Sequence, residues 1–135
     1  LFNASYVSME GLAEVVASIN LTTVHLAGEC HEISFDVTTD QAYSITRGLE
    51  RSVGSRPLTH DIIKDILDIF GIKILQIRID RYVSDIYYAT IVLQKDNRIL
   101  ELDARPSDSI ALAARTGSKL YIRRAILQAN GDQVC

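Results

Sequence analysis

Two short polar stretches hold the side chains that could do chemistry in this sequence. The first is residues 56–61 (RPLTHD) and the second is residues 103–108 (DARPSD). Each contains an Arg-Pro pair, and each comes before a segment with helical periodicity. Because proline fixes its own φ and pushes the preceding residue towards an extended conformation, both stretches are predicted to form corners at the start of a helix.

The carboxylates of these stretches suit a divalent metal ion. Asp103 and Asp108 lie on either side of one corner, and Asp61 would be a third ligand if the two corners meet. Mg²⁺ and Mn²⁺ take few protein carboxylates, keep water, and can activate that water for attack on a phosphodiester. The sequence therefore predicts a Mg²⁺ or Mn²⁺ site made of Asp61, Asp103 and Asp108.

The remaining polar residues complete a candidate site for phosphodiester cleavage. Arg56 and Arg105 carry the planar guanidinium that suits phosphate oxygens, and Ser107 is assigned with them to substrate binding. His60 is the candidate general base or acid, because histidine titrates near neutral pH. The predicted catalytic set is His60 with Asp61, Asp103, Arg105 and Asp108.

A structural interpretation of the same residues stays open. Asp-Arg and His-Asp pairs at helix starts also satisfy backbone amides and lock a turn. Ser107 or Asp108 would then cap the helix that follows Pro106. The function expected under this alternative is a non-catalytic binding or assembly module.

Composition restricts the class of protein. The chain has 135 residues, of which 47% are hydrophobic and 23% charged, which is typical of a single globular domain. Its net charge of −3 argues against a wide nucleic-acid-binding surface but leaves room for a small site. Cys30 and Cys135 are the only cysteines, so no disulfide and a cytoplasmic location are expected. No segment has the length of a membrane span, and no membrane contact is expected.

Hydrophobic periodicity predicts an α+β fold with a mostly antiparallel sheet and packed helices. Residues 1–20 are predicted to form an amphipathic helix, residues 21–128 the main domain, and residues 129–135 a flexible tail. Strand segments are predicted at residues 21–27, 33–38, 75–80, 86–94, 99–104 and 119–123, and helices at 39–49, 59–70 and 108–115. Asp36 and Asp103 end two strands that each precede a helix, which suggests an internal strand-strand-helix duplication.

The two polar stretches, with Tyr87-Tyr88-Ala89 between them, resemble the hallmark blocks of the bifunctional nuclease domain family. The resemblance covers about residues 21–128. It implies a compact α+β domain that forms homo-oligomers and cleaves RNA and DNA. Nucleic acid is therefore the expected substrate.

Overall fold

A computed structural model describes residues 8–135, which form eight strands and four helices. In chain order the elements are β1 (Leu12–Asn20), β2 (Thr23–Gly28), β3 (His31–Asp36), α1 (Thr39–Leu49), α2 (Thr59–Ile69), β4 (Lys73–Val83), β5 (Ile86–Lys95), β6 (Arg98–Ala104), α3 (Pro106–Thr116), β7 (Leu120–Arg123), α4 (Arg124–Asn130) and β8 (Asp132–Gln133). Both predicted corners are present, since α2 begins at Thr59 within the first stretch and α3 at Pro106 within the second.

The strands form one sheet in the order β6-β5-β4-β7-β1-β2-β3-β8. Neighbouring strands are antiparallel except β4 and β7, which run parallel with Ile77 opposite Leu120. The predicted α+β fold with a mostly antiparallel sheet is confirmed. The internal duplication remains a prediction.

The helix predicted for residues 1–20 is wrong over the described part of that segment, because residues 12–20 form β1. Residues 1–7 lie outside the described residues. β1 lies between β7 and β2, with Leu12 opposite Arg123 and Val16 opposite Ala27. The three- and four-residue spacing of its apolar side chains fits a helix, but pairing with β2, the next strand along the chain, and with the distant β7 outweighs that local preference.

The C-terminal segment is attached to the sheet, so the loose tail predicted for residues 129–135 is also corrected. β8 pairs with β3, and the Val134 amide donates to the Cys30 carbonyl at 2.9 Å. Cys135 thereby comes within 5.1 Å of Cys30, measured between Cα atoms, and the two form a disulfide. The prediction of no disulfide is wrong, and the cytoplasmic location loses the support it drew from free thiols. Among the described residues, no helix is both long and apolar enough to span a membrane.

α3 is the central helix of the layer that positions the candidate site. It packs on β4 and β5 and contacts both α1 and α2. Its residues 109–113 are buried, and its alanines allow α1 to approach closely. Gly48 of α1 lies at this contact: a Cβ there would be 3.0 Å from the Cβ of Ala114. The helices α2 and α3, which carry candidate polar residues, thus belong to one packed layer with α1.

Candidate active site

The two polar corners meet in space. His60, at the start of α2, places Nε2 at 2.9 Å from Oδ1 of Asp108, which lies 48 residues later at the start of α3. The contact is part-buried: the His60 side chain is 12% exposed and that of Asp108 is 30% exposed. Residues that were grouped from sequence alone therefore belong to one cluster.

Arg105 forms a two-point ion pair with Asp108 at this junction. Its Nε donates to Oδ2 at 2.8 Å, and its Nη2 donates to Oδ1 at 3.2 Å. Burial disfavours the ionised form of Asp108, but the bonds from Arg105 and His60 outweigh burial, and the pKa of Asp108 lies below its usual value. The Arg105 side chain is 68% exposed, so a carboxylate orients a guanidinium that still faces solvent.

Two further residues hold the inner side of His60. The Nδ1 atom of His60 lies 2.6 Å from Oγ of Ser44, a buried residue of α1. Arg115, in the last turn of α3, donates from Nη2 to the same oxygen at 3.2 Å. We call this hydrogen-bonded chain of side chains the relay; in order it consists of Arg115, Ser44, His60, Asp108 and Arg105.

Ser44 and Arg115 were not predicted as site residues. An isolated serine in a helix carries no local signal of a role. Arg115 stands beside Ala113 and Ala114 on a helix that packs against the sheet, and this is the one indication that its charge has a buried partner.

Asp61 is paired inside the helix layer and is not available to a metal ion. Its Oδ1 accepts from Arg115 Nε at 2.8 Å, and its Oδ2 accepts from the backbone amide of Leu58 at 2.8 Å. Burial raises the pKa of this carboxyl, yet the bonds from Arg115 and Leu58 outweigh burial and lower it. In the structure Asp61 caps α2 and pairs with Arg115, whose side chain is 5% exposed, while its catalytic and metal-binding roles remain predictions.

The α3 corner lines an open cleft of about 630 Å³. Asp103 and Arg105, both exposed, lie in its wall beside Asp108. Ser107 also lines it but is 7% exposed, and α3 has no side-chain cap, so the predicted capping by Ser107 or Asp108 is wrong. Other residues of the cleft wall are Phe35, Asp36, Gln41, Asp85, Tyr87 and Tyr88.

Arg56 is the one predicted residue that the structure leaves away from this cluster. It lies exposed in the loop before α2, and its side chain makes no hydrogen bond or ion pair within residues 8–135. It does not line the cleft. Substrate binding by Arg56 therefore has no geometric support.

The three carboxylates predicted as metal ligands are not clustered among residues 8–135. Within residues 8–135, no group of three or more His, Cys, Asp or Glu side chains is placed to share a metal ion. Both oxygens of Asp61 and both oxygens of Asp108 already accept hydrogen bonds. Asp103 faces the cleft without a hydrogen bond from any side chain of the described residues, and a single carboxylate suits Mg²⁺ when phosphate oxygens and water complete the coordination. Of the predicted ligands, Asp103 alone fits.

The profile of the bifunctional nuclease domain family matches residues 27–134, which is most of the chain. The chain belongs to this family. The bounds lie close to the predicted residues 21–128, and the match includes both polar corners and all members of the relay.

Curated relatives of this bifunctional nuclease domain come from bacteria and plants. An uncharacterized protein of Mycobacterium tuberculosis strain H37Rv is 36% identical over 76 residues, covering 56% of this chain and 44% of the relative. Bifunctional nuclease 1 of Oryza sativa subsp. japonica is 30% identical over 82 residues, covering 58% of this chain and 25% of the relative. Bifunctional nuclease 1 of Arabidopsis thaliana is 26% identical over 83 residues, covering 59% and 26%. The chain thus spans less than half the length of these relatives.

Proposed function

We propose that this domain hydrolyses phosphodiester bonds of RNA, DNA or both in the cleft beside Arg105. The observation that carries the proposal is the placement of Arg105 by Asp108, with its guanidinium largely exposed in the same cleft as Asp103. Family membership supports a nuclease-related function, and the plant relatives are named bifunctional nucleases.

The roles follow from which atoms remain available. Nη1 of Arg105 makes no hydrogen bond within residues 8–135 and can donate to a phosphate oxygen. Asp103 would accept a proton from the attacking water, whose oxygen bonds to phosphorus as the ester bond breaks and the leaving oxygen takes a proton from solvent. Both nitrogens of His60 are already bonded, so we assign it to the positioning of Asp108 instead of the predicted acid-base role.

A Mg²⁺ or Mn²⁺ requirement is part of the proposal because the cleft is acidic. Carboxylates of Asp36, Asp85, Asp103 and Asp108 line it against the single guanidinium of Arg105. Such a cleft repels a polyanion unless positive charge is added. One oxygen of Asp103 would hold the ion together with substrate phosphate oxygens, and its other oxygen would remain free to act as the base. The bound ion would offset the phosphate charge.

The test is cleavage of labelled single-stranded RNA and DNA by purified protein in Mg²⁺, Mn²⁺ or EDTA. Asp103→Asn should reduce cleavage about 10²- to 10⁴-fold, the usual contribution of a general base. Its unfolding free energy should stay near that of wild type, since Asp103 is exposed. Asp96→Asn, an exposed carboxylate in the β5–β6 turn, is the matched control and should cleave normally. Equal cleavage by wild type and Asp103→Asn would argue against the proposal.

A second candidate, an oligomeric binding or assembly module, is favoured by an apolar face. The exposed side of α2 carries Ile62, Ile66 and Ile69, of which Ile69 is 77% exposed, and the exposed Phe70 follows the helix. Leu102 of β6 is 47% exposed, and β6 is an edge strand among residues 8–135. An unpaired strand edge with apolar side chains favours pairing with another chain. The occupant we propose is a second copy of this chain.

Light scattering after gel filtration tests this association. Wild type is expected to elute as an oligomer, and Ile66→Glu or Leu102→Glu should shift it towards the monomer, because a charge would be buried in the contact. Val16→Glu, at a residue of β1 that is 70% exposed, should leave the oligomer intact. A monomeric wild type, or Ile66→Glu and Leu102→Glu variants that remain oligomeric, would count against this face as the contact.

A further inference from the structure

The relay has a fixed direction, which follows from the chemistry of its two ends. A guanidinium only donates hydrogen bonds, and an ionised carboxylate only accepts them. Arg115 therefore donates to Ser44 Oγ, and Asp108 accepts from His60 Nε2. Between Ser44 Oγ and His60 Nδ1, which lie 2.6 Å apart, either atom could be the donor, so the donor must be deduced from the two ends of the relay.

The Ser44 hydroxyl has one hydrogen to donate. Within residues 8–135, its oxygen contacts two hydrogen-bonding groups, Arg115 Nη2 and His60 Nδ1. Since Arg115 cannot accept, the Ser44 hydrogen finds a partner only at Nδ1. Nδ1 is then without a proton, and the ring proton sits on Nε2, where it is donated to Asp108.

We propose that Ser44 and Arg115 are positioning residues that hold His60 in the Nε2-protonated tautomer and, through Asp108, orient Arg105 towards the cleft. His60 donates its single ring N–H to Asp108 Oδ1, an oxygen that also accepts from Arg105 Nη2. The opposite tautomer would place a bare Nε2 against the Asp108 carboxylate, and two acceptors would then face each other. The Arg105 ion pair therefore depends on a serine of another helix that does not touch Arg105.

This inference rests on the proposed function only in one respect, namely that the oriented Arg105 binds a phosphate group. The arrangement itself can be measured without turnover. If His60 is protonated at Nε2 but the protein cleaves no nucleic acid, the nuclease proposal is contradicted and the tautomer proposal is supported. Cleavage by a protein with the opposite tautomer would do the reverse.

Histidine ring tautomers are read from long-range ¹H–¹⁵N correlation spectra of the uniformly labelled protein at pH 7.5. His60 is assigned by the loss of its signals in His60→Gln, which separates it from His25 and His31. We expect a protonated Nε2 and an unprotonated Nδ1 in wild type. A proton on Nδ1, alone or together with one on Nε2, would overturn the inference whatever the variants do.

Ser44→Ala tests how far the effect reaches. We expect His60 to lose its single tautomer and the Arg105 Nε–H to exchange with solvent several-fold faster than in wild type. Ser44→Thr, which keeps the hydroxyl, should restore both signals. Ser118→Ala removes a part-buried hydroxyl outside the relay and should change neither. Unchanged tautomer and exchange in a folded Ser44→Ala protein would show that Ser44 does not position His60.

Discussion

Asp61 and Arg115 carry opposite charges where little water reaches them. Their side chains are 12% and 5% exposed, and the bond between Oδ1 and Nε is 2.8 Å. Removing one member of such a pair leaves an uncompensated buried charge, which typically costs about 3–5 kcal/mol. Asp61 thus links α2 to α3 and also caps the start of α2.

We predict that acid weakens the fold through Asp61 and Asp108. Both have a pKa below the usual carboxyl value of about 4, so the unfolded state binds more protons as pH falls past that value. Their stabilising contribution is complete above about pH 4 and is lost as pH falls through the folded-state pKa values. The check is the free energy of unfolding in urea from pH 7 down to pH 2.5.

Asp61→Asn gives the matched comparison for this prediction. At pH 7 it should be less stable than wild type by about 3 kcal/mol or more. The difference should shrink in acid, because protonated Asp61 is then uncharged, as asparagine is at every pH. Asp65→Asn, at an exposed residue of the same helix, should follow wild type throughout. A pH-independent gap between wild type and Asp61→Asn would contradict the linkage.

At the scale of elements, the contact between α1 and α3 depends on the absence of a side chain at residue 48. A Cβ at Gly48 would lie 2.8 Å from Nη1 of Arg115 and 3.0 Å from the Cβ of Ala114. At such distances the Arg115 guanidinium must move and Ala114 must give way by a few tenths of an ångström. Because Arg115 belongs to the relay, the spacing of these helices also determines the geometry at His60.

Gly48→Ala should therefore destabilise the protein by about 1–3 kcal/mol, as overpacking usually does. Helix propensity alone predicts the opposite sign, a gain of up to about 1 kcal/mol. Urea unfolding distinguishes the two, and adding Ala114→Gly should recover part of the loss by making room. A Gly48→Ala protein more stable than wild type would show that the helices are not in tight contact.

Elements whose periodicity agrees with their packing were predictable from the sequence. α2 and β5 are examples: an apolar stripe at helical spacing marks the first, and a continuous apolar run marks the second. β1 was not predictable, because its spacing fits a helix and its strand conformation comes from partners as distant as Arg123. The same limit applies to the site. The two corners were recognised by their residue types, whereas Ser44 lies 71 residues from Arg115, and only the tertiary fold brings them together.

At the scale of the whole molecule, the Cys30–Cys135 disulfide closes a loop between residues 105 apart in sequence. A crosslink over a loop of this size restricts the unfolded chain and stabilises a protein by about 5 kcal/mol in the chain-entropy account. We predict a loss of this order in Cys135→Ser, measured as the free energy of unfolding without reductant. Addition of a thiol reductant should lower wild type to the same value and leave Cys135→Ser unchanged. Equal stability of oxidised wild type and Cys135→Ser would show that the crosslink adds nothing to the β3–β8 pairing.

The position of β1 in the sheet has a consequence for synthesis of the chain. β1 leaves the ribosome before the other described strands, yet one of its two neighbours is β7, whose residues 120–123 come about a hundred positions later. β1, β2 and β3 can pair as soon as they emerge, because they follow one another directly. The other edge of β1 must wait, exposed, until nearly the whole domain has been translated. A nascent chain stalled before residue 120 therefore carries an open strand edge that the finished protein conceals.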